Sequence, residues 1–90
     1  MNELKYKLSY HKWRKENNFS VISNDNLELF FLDKISTEIL STLINDDKSI
    51  REVANIMINE FLYDVDKDIL YCDIEELFES FLNNGIVETI

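Results

Sequence analysis

Proline is absent from this 90-residue chain, and glycine, cysteine, histidine and tryptophan occur once each. A lone Cys72 forms no internal disulfide, and Cys72 with His11 makes no zinc-ligand set, so neither a disulfide scaffold nor a metal site is expected. A single glycine, Gly85, excludes a glycine-rich phosphate loop. Long apolar runs are also missing. The longest is Leu29 to Leu32, and Met1 to Leu8 carries no signal-peptide core, which predicts a soluble, cytoplasmic protein without a membrane role. Basic residues are scarce beyond position 18: residues 1–18 carry +3 and residues 19–90 carry −12, for a net −9. A body that acidic repels phosphate backbones, because nucleic-acid affinity comes largely from Lys and Arg. Nucleic acid is therefore not an expected partner.

Apolar residues make up 46% of the chain and aromatics 12%, enough for an ordered domain. A chain this short buries only ~60 to 65% of its unfolded surface, so the core is thin. One domain over residues 1–90 is expected, with residues 1–18 as a basic N-terminal strand segment and no repeat, linker or low-complexity segment.

Leu4, Tyr6, Leu8 and Tyr10 alternate with polar residues, the period of a half-buried strand. The cluster Tyr10-His-Lys-Trp-Arg-Lys15 reads as solvated lysines beside a packed Trp13, without a function of its own. Phe19 to Ser23 and Leu27 to Leu32 read as two strands of a hairpin joined at Asn24-Asp-Asn26. From Asp33 the period becomes helical. Asp33 caps a first helix with Ile35, Ile39, Leu40, Leu43 and Ile44 on one face, and Asn45 to Lys48 breaks it. Ser49-Ile-Arg-Glu52 is a capping box opening a second helix with Ile50, Val53, Ala54, Met57 and Phe61 inward. Asp64-Val-Asp66 opens a third, with Leu70, Ile74, Leu77, Phe78 and Phe81 inward and Gly85 placed for a left-handed C-terminal cap. Ile86 to Ile90 reads as a short strand or wing. The expected class is α+β: N-terminal antiparallel strands followed by three helices, winged helix-turn-helix-like.

Four segments carry a resemblance: Leu27-Glu-Leu-Phe-Phe-Leu-Asp33, Ile39-Leu-Ser-Thr-Leu-Ile-Asn-Asp46, Ser49-Ile-Arg-Glu-Val53, and Asp73 through Gly85-Ile-Val87. Over residues 19–90 the chain resembles the PqqD family, the precursor-peptide recognition elements of ribosomally made, post-translationally modified peptides. It departs from the family in having Asp46-Asp47 where Asp-Gly is usual, and Asn24-Asp25-Asn26 where the hairpin often has glycine. Both are turn formers that tolerate left-handed backbone.

The resemblance implies a non-enzymatic module with no cofactor. It would bind a leader peptide as an added strand along Leu27, Glu28, Leu29, Phe30 and Phe31, against a groove lined by Ile69, Asp73, Leu77 and Ser80 of the third helix. Implied partners are the precursor leader and a modifying enzyme, either a radical-SAM enzyme or a lasso-peptide leader peptidase and cyclase. A homodimer is left open. The residues by themselves say less: Ile69 is an apolar side chain on the polar face of its helix, which is ordinary for a protein surface. If Ser23 and Leu27 close the hairpin as a hydrogen-bonded pair, Glu28 and Phe30 offer their amides to the peptide.

Two other classes have sequence features behind them. Asp64, Asp66, Asp68 and Glu75 match positions 1, 3, 5 and 12 of a calcium loop, but Ile69 stands where that loop needs glycine. A winged-helix transcription regulator would share the helix order, yet the third helix offers only Lys67 at its start. Catalysis has no support, since His11 and Cys72 sit on different elements and the carboxylates cluster at helix ends and outward faces.

Overall fold

The alternation around Tyr6 builds β1 (Lys5–Leu8), and Tyr6 points inward, its ring 4.8 Å from that of Phe78. Burial pushes the Tyr6 hydroxyl pKa up, with Glu75, Tyr71 and Glu79 adding to it. A computed structural model describes residues 4–60 and 64–90. The chain is α+β, with antiparallel strands at its N-terminal end followed by three helices. After β1 come β2 (Lys12–Lys15), β3 (Phe19–Ser23) and β4 (Leu29–Asp33), then α1 (Lys34–Ser41), β5 (Lys48–Ser49), α2 (Ile50–Asn59), α3 (Lys67–Asn83) and β6 (Val87–Thr89).

Two three-stranded antiparallel sheets result, ordered β5-β1-β6 and β2-β3-β4. The helices close over the inner face of the second sheet. Ser20 on β3 and Thr37 on α1 are both buried and share a 2.7 Å hydrogen bond, which satisfies two hydroxyls where small side chains let the helix approach. Ile22 and Leu32 from the sheet join Leu40, Val53, Met57, Ile74 and Phe78 from the helices in one core.

Helix starts follow the predicted chemistry. Asp33 accepts from the Ser36 amide at 2.8 Å, and the Ser49–Glu52 capping box forms both its bonds. Each such cap is worth ~1 kcal/mol. Gly85, at φ +72°, ends α3 in the left-handed conformation.

Several expectations need correction. The basic N-terminal segment forms two strands in different sheets, β1 and β2, where one strand segment is expected, and the packed Trp13 meets the core from the inner face of β2. Residues after α1 do more than break a helix, because Lys48 and Ser49 pair with β1. Ile35 and Ile44 are 51% and 47% exposed and do not belong to the inward face of α1. That helix stops at Ser41, so Ile44 lies beyond the helical period that would have turned it inward. Leu77 is only half-buried at the margin of the core. Phe61 lies outside the described residues.

Candidate functional site

The β3–β4 hairpin turns through three residues. The Leu27 amide donates to the Asn24 carbonyl at 3.0 Å, and the Asn24 amide donates to the Glu28 carbonyl at 3.2 Å. Leu27 takes a φ of +65°, the left-handed position that ends such a turn and that glycine usually fills. The sequence reading gave the left-handed backbone to Asn and Asp and began the strand at Leu27. Instead Leu27 and Glu28 belong to the turn, and β4 begins at Leu29.

That closing bond fixes which groups of β4 are free. Asn24 pairs with Glu28, not Ser23 with Leu27, so by alternation Ile22–Phe30 and Ser20–Leu32 are the hydrogen-bonded pairs. Amides and carbonyls of Glu28, Phe30 and Leu32 point at β3, while those of Leu29 and Phe31 point to the open edge. The bond from the Glu16 amide to the Phe19 carbonyl has the complementary parity on the other side of β3. The expected roles of the two sets are thus exchanged. The turn keeps the expected length of three residues but sits one residue further along the chain, over 25–27 in place of 24–26.

Behind this edge lies a groove of about 350 Å³, lined by Phe30, Phe31, Leu77, Ser80, Phe81 and Ile86. Phe81 and Ile86 are buried and make its apolar floor, Leu77 and Phe30 are half-buried on its walls, and Ser80 is on the rim. Phe30, Phe31, Leu77 and Ser80 are therefore brought together as the sequence reading grouped them. Leu29 starts the edge strand with its side chain on the outer sheet face. Ile69 and Asp73 are exposed on α3, about two turns and one turn before Leu77, and do not line the groove.

The sequence reading missed what joins the walls. Asn24 is 3% exposed, and its side chain makes four hydrogen bonds. Its Nδ2 donates to Glu28 Oε1 at 3.0 Å and to the Asn84 carbonyl at 2.8 Å, while its Oδ1 accepts from the amides of Asn26 and Glu28, each at 3.0 Å. One residue thereby ties the hairpin tip to the end of α3. A β-carbon at position 85 would lie at ordinary contact distance from Asn24 Cβ, 3.5 Å, so it is the φ of +72° and not the space that favours glycine there. Only the burial of Asn24, which a turn motif does not reveal, distinguishes it from an ordinary turn former.

The acid-rich segment is used differently from a calcium loop. Asp66 caps α3, its carboxylate accepting from the Asp68 and Ile69 amides at 2.9 and 3.3 Å. The helix starts at Lys67, so Asp68 and Glu75 ride on one rigid element where a calcium loop would have to wrap an ion. Among the described residues no three His, Cys, Asp or Glu side chains group to hold a metal ion. Among them, too, no helix is long and apolar enough to cross a membrane.

No family model, curated protein or solved structure matches this chain.

Proposed function

We propose that this protein is a PqqD-like recognition element, which binds the leader region of a ribosomally made precursor peptide by strand addition to β4 and delivers it to a modifying enzyme. The observation that carries the reading is the state of the sheet edges. Strand addition needs unpaired main-chain groups beside apolar pockets. β5 and β6, the edges of the first sheet, are two and three residues long. β2 presents Lys12, Arg14 and Lys15 along its length, a common device against unwanted pairing. β4 has neither protection from Leu29 to Leu32, and among the described strands it alone borders the groove under Leu77 and Phe81.

A peptide added here would receive two amides and two carbonyls, from Leu29 and Phe31, and place alternate side chains in the groove. The larger hollow at the hairpin tip, about 510 Å³ and lined by polar groups such as Asn26, Glu28 and Asn83, offers little to an apolar side chain. A modifying enzyme would supply the chemistry, with a radical-SAM enzyme and a leader peptidase and cyclase as the two partner classes.

The test is a nuclear magnetic resonance titration with the N-terminal segment of a short precursor peptide encoded beside this protein. Shifts should concentrate on Leu29 to Asp33 and on Leu77, Ser80 and Phe81, with the Leu29 and Phe31 amides becoming protected from exchange. Saturable binding that leaves those two amides unprotected overturns strand addition on this edge.

A further inference from the structure

Among the described residues no element packs on the outer face of the second sheet, and that face is apolar where solvent-facing sheets are usually polar. Leu29 and Phe31 of β4 are 74% and 71% exposed. Phe31 stacks on Phe19 of β3 with ring centroids 5.1 Å apart and planes 11° from parallel. Beside this ridge, on the β2 side, lies a shallow apolar hollow of about 480 Å³ lined by Lys12, Arg14, Val21 and Leu29. Contiguous exposed apolar groups of this kind mark interaction surfaces.

We infer that this face docks a second copy of the chain, sheet on sheet, about a two-fold axis parallel to the strands and passing over β3. The registers Arg14↔Val21↔Phe31 and Lys12↔Ser23↔Leu29 make the face self-complementary under that axis. β4 of one copy then lies over β2 of the other, so Phe31 enters the hollow above Arg14 and Leu29 covers the alkyl stem of Lys12. Both contacts are made twice, as an isologous interface requires. Charge selects this axis over the alternative. A two-fold perpendicular to the strands stacks β2 antiparallel on β2 and sets the Lys12 and Arg14 pair of one copy against the same pair of the other, whereas the parallel axis sets them over a strand flanked by Glu28 and Asp33. An arginine over an aromatic ring adds a cation–π contact. Sheet faces pack ~10 Å apart, which leaves the edge of β4 open, so the inference stands apart from the peptide-binding reading.

With a net charge of −9 on each copy, long-range repulsion opposes association, and salt screens it. Sedimentation equilibrium of the intact chain at low and high salt tests the inference. The mass should rise from 10.7 kDa toward twice that value with concentration, more readily at high salt. Phe31→Lys sets an amine over Arg14 of the other copy and should raise the dimer dissociation constant at least tenfold, with an unchanged circular dichroism spectrum. Adding Arg14→Glu to that variant opposes unlike charges and should restore the dimer. A wild-type chain that stays at 10.7 kDa at every concentration and salt overturns the inference, as does a dimer indifferent to Phe31→Lys.

Discussion

The two sheets have the same number of strands and opposite uses. In the first, the central strand β1 is enclosed by β5 and β6, Tyr6 is locked against Phe78, and the Lys7–Glu88 ion pair at 3.1 Å spans a solvated pair of side chains. It gathers both ends of the α2–α3 segment onto one strand and offers little to a partner. In the second, only the inner face is used for packing. The outer face and the β4 edge are left apolar and open. Strand length and the placement of a few charges separate the two, since both rest on the same helical core.

The sharpest way to break the second sheet is to remove an inward amide. Phe30→Pro deletes the donor that pairs with Ile22 and should destabilise the protein by ~3 kcal/mol or more, read by urea denaturation. Leu29→Pro is the matched control, because its amide faces the open edge and proline is tolerated at the first residue of an edge strand. That variant should stay folded while binding a leader peptide at least tenfold more weakly, ~1.4 kcal/mol, with Leu29→Ala separating the loss of side chain from the loss of donor. Equal unfolding by both prolines would mean that the assigned parity is wrong.

Leu27 gives a smaller effect of opposite sign. A leucine in left-handed backbone costs ~1 to 2 kcal/mol, offset in part by the extra chain entropy a glycine loses on folding, so Leu27→Gly should stabilise by ~0.5 to 1 kcal/mol. The melting temperature should rise by a few degrees. The least effect belongs to the first sheet: Lys7→Ala removes an ion pair whose side chains are about half exposed, and should change stability by no more than ~0.5 kcal/mol, less at high salt.

What could be read from the sequence was whatever a local pattern encodes. The Ser49–Glu52 capping box, the Asp33 cap, Gly85 at the end of α3 and the inward arc of Leu70, Ile74, Phe78 and Phe81 all follow from spacing and backbone chemistry. The groove residues Phe30, Leu77 and Ser80 came from a resemblance, and their juxtaposition is a tertiary fact that no single period contains. The separation of β2 from β1, and β5 altogether, escaped because a run of Lys and Arg and a two-residue strand have no strand signature of their own; their partners make them separate strands. The hydrogen-bond parity of β4 turned on a one-residue shift in where the three-residue turn sits, which reverses every amide in a strand.

Asn24 has a consequence for recognition that goes beyond satisfying a turn. Its two donors and two acceptors are all engaged, which is the full capacity of the side chain, and they span the hairpin and the last turn of α3. Three of them hold the side chain within the hairpin and the fourth, the 2.8 Å bond to the Asn84 carbonyl, crosses to α3, so the two walls of the groove are pinned at one end by a side chain that is itself held in place. An incoming strand therefore meets a slot of preset width and pays little ordering entropy to the protein side of the complex. Selectivity then falls on the size of the side chains that fit the slot, as with a gauge whose jaws have been fixed.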